Sequence, residues 1–259
     1  MGRVPAMTVP PAGVVDSALG KGLRVMEALA TAEGPVRLSH LAADLGLQKS
    51  SVHRALRSLI DLGYASQDPG TELYTATLKV WELGAVVVSA LPIKRAATTI
   101  LHELHRSTGE TVSLSVLDGD DVLYLDKLLS PRPGGFTTRV GSRVPAPFTA
   151  AGRAMLAFEY DPDAVIERVA SAVKPGALDV DKARADVRQA RESGFVAWHG
   201  RPERGVVAIA VAVPGSDGRA AAGLTVSAPS RRLDEKRRDE IVDALSTAAA
   251  GLAEALGAR

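Results

Sequence analysis

The chain has 259 residues, a formal net charge of +1 and no cysteine. This length allows two domains, and the near-neutral charge means that any binding of nucleic acid must come from a local patch of cations. Without cysteine the chain can form neither a disulfide nor a thiolate metal site, and it contains no run of about 18 apolar residues that would predict a membrane span. We therefore expect a soluble cytoplasmic protein.

Residues 1–15 are rich in proline, glycine and alanine and show no hydrophobic periodicity, which predicts a disordered arm. Asp16 or Ser17 can cap the first helix. The apolar side chains of that helix recur with helical spacing, which predicts a buried stripe of Leu19, Leu23, Met26 and Leu29.

Two short amphipathic helices flank Gly46 in the segment 38–61, LSHLAADLGLQKSSVHRALRSLID. Glycine readily takes the left-handed conformation that ends a helix sharply. The second helix, over 48–61, has one apolar face and an opposite face of hydroxyls and cations, and no acid occurs from Gln48 to Ser58. Such a face suits the major groove of DNA, whereas the alternative is a surface helix whose cations are only solvated. The pattern predicts a helix-turn-helix.

The polar face of this second helix carries the candidate DNA contacts, which are Lys49, Ser50, Ser51, His53, Arg54 and Arg57. We expect Arg54 and His53 to read bases. Lys49 and Ser50 are expected to hold phosphates, and the other two side chains to serve both purposes. Short strands at 63–66 and 72–75 around a Pro-Gly turn predict a hairpin, so that residues 16–77 form a winged helix.

Residues 17–84 resemble the DNA-binding domain of the IclR family of bacterial transcriptional regulators. The resemblance rests on SALGKGLRVMEAL, on LSHLAADLGLQKSSVHRALRSLIDLGY and on LYTATLKVWELG. It continues through GETVSLSVLDGDDVLYLDK (109–127), VGSRVPAPFTAAGRAMLAF (140–158) and GLTVSAP (223–229), and so covers nearly the whole chain in the family's order. It implies a ligand-responsive regulator that forms a homodimer or a dimer of dimers, with helix 78–90 helping to pair the subunits.

Residues 78–92 are predicted to form a linker helix that ends at Pro92, and residues 93–259 a second domain for effector binding and oligomerisation. Its predicted helices are 93–107, 149–159, 162–171, 179–193 and 234–257, and its predicted strands are 111–117, 122–128, 135–140, 195–199, 205–213 and 220–228. This order predicts an α+β fold, in which an N-terminal winged helix-turn-helix domain is joined to a C-terminal α/β domain with an antiparallel sheet flanked by helices.

The segment 140–152, VGSRVPAPFTAAG, is the candidate ligand site. Its two prolines hold it extended, Thr149 can cap the following helix, and the small residues after it leave first-turn amides open to an anion. An ordinary loop leading into a helix fits the same composition. The resemblance favours ligand binding, because the matching segment lines the effector pocket of similar proteins.

The resemblance also assigns the strand 223–228 and the loop after Phe195 to this pocket. The predicted effector-binding residues are Phe148, Thr149, Ala150, Ala151, Gly152, Trp198, His199, Thr225 and Ser227. The chain has Trp198-His199-Gly200-Arg201 where many relatives carry acids, and Phe148 and Ala208 where some carry cysteine.

The predicted effector is a small organic acid, with an aromatic acid as one candidate. His199 and Arg201 could balance its charge, and Phe148 and Trp198 could wall its apolar part. The alternative is that Trp198 belongs to the core and that the two cations are solvated.

No catalytic residue, cofactor or metal site is predicted. His102 and His105 lack a third ligand, and Asp118, Asp120 and Asp121 fit a hairpin turn better than a calcium loop. The predicted partners are double-stranded operator DNA, the acid and further copies of the chain, with no membrane. The predicted function is a ligand-responsive transcriptional regulator of the repressor type. The alternative is a small-metabolite enzyme whose winged helix serves protein contacts, although no nucleophile–base signature supports it.

Overall fold

The computed structural model describes residues 17–132, 138–199 and 205–258. These residues divide into two compact units, which comprise 17–89 and 90–258. The predicted disordered arm, 1–15, lies outside the described residues, and the predicted domain boundaries stay a prediction. Within the described ranges, no single helix is both long and apolar enough to cross a membrane.

The N-terminal unit has the element order of a winged helix. Its helices are α1 (Ala18–Thr31), α2 (Leu38–Leu45), α3 (Lys49–Asp61) and α4 (Leu78–Ser89), and its antiparallel strands are β1 (Ala65–Gln67) and β2 (Tyr74–Ala76). The Ser17 hydroxyl caps α1 by accepting from the Gly20 amide at 3.0 Å. Gly46 ends α2 in the left-handed conformation with φ 61°, as its position between the two helices predicted.

The buried stripe predicted for α1 is partly wrong. Val25 and Leu29 are buried in the core of this unit, whereas Leu19 is 73% and Leu23 47% exposed. The helix is rotated so that these two leucines line a groove of about 640 Å³, which α3 and α4 border on its other side. The periodicity of α1 therefore marks two apolar faces, of which only one is buried within the unit.

The C-terminal unit is built on a six-stranded antiparallel sheet of order β5-β4-β3-β8-β7-β6. The strands are β3 (Thr111–Asp118), β4 (Asp121–Leu128), β5 (Arg143–Pro145), β6 (Phe195–His199), β7 (Val206–Pro214) and β8 (Ala220–Pro229). The helices are α5 (Pro92–Thr108), α6 (Ala150–Leu156), α7 (Pro162–Ala172), α8 (Val180–Ser193) and α9 (Glu235–Ala255). The α+β class is confirmed. Of the strand predicted at 135–140, residues 135–137 lie outside the described residues and 138–140 form no strand.

Helices cover both faces of this sheet and divide its core in two. The α5/α9 face carries Leu114, Leu224 and Val226, which pack with apolar side chains of those two helices. The opposite face, here called the α6 face, packs against α6, α7 and α8. Because successive residues of a strand point to opposite faces, Gly223 and Thr225 of β8 lie on the α6 face.

Candidate nucleic-acid interface and ligand site

Helix α3 presents a cationic surface because its apolar residues are all turned inward. Val52, Leu56 and Leu59 are buried against the rest of the unit. The predicted DNA contacts Lys49, Ser50, His53, Arg54 and Arg57 are exposed, and Ser51 is half-buried. The structure thus brings these six residues to one side of α3. Guanidinium groups on such a helix can reach base edges, and the first-turn amides and hydroxyls can reach phosphates.

The turn between β1 and β2 is organised by Asp68. Its carboxylate accepts from the Gly70 amide at 3.1 Å, the Thr71 amide at 2.7 Å and the Thr71 hydroxyl at 2.8 Å. The bonds from Thr71, of which the hydroxyl bond has the largest effect, lower the pKa of Asp68. The predicted hairpin is therefore confirmed, with its strands placed slightly later in the chain, at 65–67 and 74–76.

On the α6 face of the sheet, the two central strands, β3 and β8, carry hydroxyl residues. Ser113 of β3 pairs with Thr225 of β8, and Thr111 pairs with Ser227. Ser115 donates to the Gly223 carbonyl at 3.3 Å. These hydroxyls alternate along β3 and β8 with apolar residues that point toward α5 and α9. The face is polar where it could have been continuously apolar, which is unusual for a surface buried under helices.

Thr225 is the least satisfied of these polar groups. Its side chain is 6% exposed, and its hydroxyl oxygen has no hydrogen-bond partner among the described residues. A buried hydroxyl without a partner costs folding free energy, so each such group calls for a physical reason. A bound ligand that hydrogen-bonds to Thr225 would supply that reason.

The predicted segment at the start of α6 lies over this face. Residues Ala146–Phe148 form a short 3-10 turn, and Thr149 then caps α6 by accepting from the Gly152 amide at 2.9 Å. A Cβ built on Gly152 would lie 2.1 Å from the Ala146 carbonyl oxygen, so the glycine lets this turn pack directly on α6. Residues 149–152 are all buried, and the Gly152 amide is already used by the Thr149 cap. Packing within the unit therefore explains much of why this segment consists of small residues.

Arg153 fixes the same turn from beneath. Its Nε donates to the Pro147 carbonyl at 2.8 Å, and its Nη1 is paired with the Asp186 carboxylate of α8. Lys182 also contacts that carboxylate, at 3.1 Å. Arg153 therefore ties the turn before α6 to α8.

Trp198 and His199, which were predicted to act together, are not brought together. Trp198 pairs with Ala208 and packs on the α6 face, whereas His199 pairs with the buried Val207 of the α5/α9 face. Trp198 thus shares a face with Phe148, Thr225 and Ser227, but the exposed His199 points away from them. Arg201, the other predicted cation, lies outside the described residues.

Lys127 is a cation on the α6 face that the sequence reasoning missed. It pairs with Ser113, and its Nζ donates to the carbonyl and hydroxyl oxygens of Thr138 at 2.8 and 2.9 Å. Burial lowers the pKa of the Lys127 ammonium, and it raises the pKa of Tyr124 on the same face. The alternation of hydroxyls in TVSLSV (111–116) was the available signal for this face.

Two family profiles match the sequence of this chain. Residues 18–69 match the profile of the IclR helix-turn-helix domain. Residues 85–253 match the profile described as the C-terminal region of the bacterial transcriptional regulator IclR. The chain belongs to the IclR family. It is a transcriptional regulator of that family with a helix-turn-helix DNA-binding domain.

Individual members of the IclR family match over most of their length. The HTH-type transcriptional regulator KdgR of Escherichia coli is 31% identical over 246 residues, which are 93% of this chain and 93% of KdgR. The DNA-binding transcriptional repressor YiaJ of the same organism is 29% identical, over 95% of this chain and 89% of YiaJ. An IclR homolog from Microbacterium hydrocarbonoxydans, crystallised with 4-hydroxybenzoate, is 25% identical with a TM-score of 0.78, over 94% of this chain and all of its own.

Of the histidines and aspartates that were considered as metal ligands, most make other contacts in the structure. His105 lies 2.8 Å from the Glu110 carbonyl oxygen through its Nδ1. Asp118 is ion-paired with Arg143, and Asp120 with Arg168, around a two-residue turn. Among the described residues, no group of three or more His, Cys, Asp or Glu side chains could hold a metal ion.

Proposed function

We propose that this IclR-family protein is a repressor that binds operator DNA through α3 and the β1–β2 wing, and that responds to a small organic acid bound on the α6 face. The observation that carries the proposal is the pairing of two features in one chain, namely an exposed cationic helix and a buried, unsatisfied hydroxyl at Thr225. The exposed cations of α3 face solvent, where DNA can reach them, and the Thr225 hydroxyl lacks a hydrogen-bond partner among the described residues.

The argument for DNA rests on the surface of α3. Arg54 and Arg57 are exposed on the side of α3 opposite its buried residues, and Lys49 and Ser50 lie at its first turn. With a chain net charge of only +1, affinity must come from these few contacts rather than from a diffuse field. The name of the relative YiaJ supports the repressor role.

The argument for an acid rests on the polarity of the α6 face. Thr225, Ser113 and Ser227 offer hydroxyl donors, Lys127 offers a cation, and Phe148 and Trp198 offer apolar walls. An amphipathic aromatic or short aliphatic acid matches such a mixed site. The relative bound to 4-hydroxybenzoate supports this class of ligand, and the relatives named as regulators favour binding of the acid without turnover.

The argument for oligomerisation rests on α4, in which no residue is buried. Trp81 is 69% exposed, and Leu78, Val86 and Val87 are exposed as well. An apolar helix that water covers is costly, and a second copy of the same helix would remove that cost. A dimer would also present two copies of α3 to the two halves of a palindromic operator.

The test is fluorescence anisotropy of a labelled duplex from upstream of the protein's own gene, compared with a scrambled duplex over a series of salt concentrations. We expect tighter binding to the native duplex and a shallow dependence on salt. Small acids are then added to the complex, and the bound acid is recovered to check that it is unchanged. Equal and steeply salt-dependent binding to both duplexes would refute operator recognition, because it would show only non-specific electrostatic binding to the phosphate backbone.

A further inference from the structure

Lys127, Ser113 and Thr225 lie side by side on the α6 face. Lys127 is the cross-strand partner of Ser113, and Ser113 is the partner of Thr225. Directly paired residues point to the same face, and neighbouring strands are about 4.8 Å apart, so the Cα atoms of Lys127 and Thr225 are about 10 Å apart. We propose that this row of three residues, the Lys127 row, binds the anionic group of the effector, with the Lys127 ammonium as its counter-charge. The inference rests on the proposed function, since it specifies the group that the acid meets.

A β-bulge places Lys127 on this face. Leu114 pairs with Asp126 and Ser115 pairs with Tyr124, so Leu125 is the additional residue of β4. Without the bulge, alternation from Tyr124 would put Asp126 on the α6 face and Lys127 on the other. With the bulge, Asp126 turns to the α5/α9 face, where it pairs with Lys94 of α5. One inserted residue thus replaces an acid by a cation beside Ser113.

The chemistry of the row fits a carboxylate. The Lys127 ammonium, which already donates to two oxygens of Thr138, and the two hydroxyls are all hydrogen-bond donors. A charged acceptor forms stronger bonds than the neutral oxygens of Thr138 do. The partial burial of Lys127 weakens screening by water, which strengthens its attraction for an anion. Thr225 gains the hydrogen-bond partner that it lacks among the described residues. His199 cannot take this role, because it lies on the opposite face.

The orientation of the acid follows from the neighbouring rows. The cross-strand row next to that of Thr225 runs from Ser227 through Ala208 to Trp198. This row becomes less polar toward β6. Thr225 itself pairs with Ala210, whose small side chain is buried on the same face. A carboxylate at Lys127 would therefore direct the apolar part of the molecule toward Trp198.

The test is isothermal titration calorimetry of the full-length protein with acetate, butyrate, benzoate and 4-hydroxybenzoate, each compared with its primary amide. The amide keeps the shape of the acid and removes its charge. We expect wild-type protein to bind at least one of these acids, and its amide at least about tenfold more weakly, as the loss of a charge-assisted hydrogen bond implies. Lys127→Met should cause a similar loss for the acid, and Lys127→Arg should restore most of it.

Two further variants separate ligand binding from folding. Lys174→Met removes an exposed lysine of the same unit and should bind the acid as the wild type does. Thr225→Val replaces a hydroxyl that has no partner among the described residues, so the melting temperature should stay unchanged or rise. The same variant should bind the acid more weakly. Loss of affinity in Thr225→Val without loss of stability supports the row even if Lys127→Met proves poorly folded.

The outcomes distinguish this inference from the proposed function. Unchanged acid affinity in both Lys127→Met and Thr225→Val would overturn the Lys127 row and leave the acid effector standing. Equal affinity for acid and amide would overturn the role of the charge. If no acid binds the wild type, the acid effector and the row both fall, while operator binding is judged by its own assay.

Discussion

The guanidinium of Arg153 in α6 is ion-paired with the carboxylate of Asp186 in α8, and both side chains are buried. Arg153 also donates to the Pro147 carbonyl, so one side chain joins the 3-10 turn before α6, α6 itself and α8. This pair fixes the position of the segment that lies over the proposed effector site. A buried pair of this kind contributes little net stability when intact but is costly to break, because an unpaired charge is left behind.

Breaking the Arg153–Asp186 pair should therefore destabilise the protein strongly. We expect Arg153→Met to lower the free energy of unfolding by about 3 kcal/mol, the lower end of the range for such a pair, since Lys182 still contacts Asp186. Chemical denaturation measures the change. The double variant Arg153→Met/Asp186→Leu should lose less than the two single variants added together. Arg184→Met removes two partly exposed ion pairs between α8 and α7, with Asp163 and Glu167, and should cost no more than about 1 kcal/mol.

Gly152 should not tolerate a side chain, although it lies in a helix. The Cβ of an alanine there would meet the Ala146 backbone at 2.1–2.6 Å, so the turn before α6 would have to move. We expect Gly152→Ala to cost about 2–3 kcal/mol in thermal or chemical unfolding, as overpacking does. Gly251→Ala is the matched control in α9, because its Cβ meets no atom within 4 Å and it should stabilise by about 0.5–1 kcal/mol. A neutral Gly152→Ala would contradict the close packing.

Arg54→Ala should strongly reduce the preference for operator DNA while leaving acid binding intact. A guanidinium that reads a base contributes about 1–3 kcal/mol of discrimination, so the ratio of the affinities for the native and scrambled duplexes should fall by about 5- to 150-fold. Lys49→Ala should weaken both duplexes alike and reduce the salt dependence, as expected for a phosphate contact. Lys236→Ala, in α9, removes the same charge outside α3 and should change neither. Retained operator preference in Arg54→Ala would refute the assignment of α3 as the recognition helix.

Trp81→Asp should weaken or abolish self-association. Its indole is 69% exposed on α4, and a charge there would be desolvated in any pairing of that helix with a second copy. Sedimentation equilibrium over a range of protein concentrations measures the mass. Tyr160→Asp places the same charge at an aromatic residue of the other unit, which is 98% exposed, and should leave the mass unchanged. If Tyr160→Asp dissociates the protein and Trp81→Asp does not, the pairing surface lies in the C-terminal unit.

The sequence by itself determined the elements whose causes are local. The Ser17 cap, the left-handed Gly46 and the two-residue turn between Asp118 and Asp121 depend on side chains within a few residues of one another. The amphipathic pattern of α3 fixed its buried and exposed sides for the same reason. The mixed order of strands and helices also sufficed for the α+β class.

Only the tertiary structure decided which residues share a face. Lys127 reaches the α6 face because of a bulge in β4, which its local sequence does not reveal. His199 and Trp198 were both assigned to one pocket, whereas the regular pairing of β6 with β7 puts them on opposite faces. Likewise, the spacing of Leu19 and Leu23 matches a buried stripe, yet they line an open groove. Periodicity reports that a side chain is apolar and on one side of its element. What covers that side is set by pairing and packing with residues distant in the chain, which local spacing does not encode.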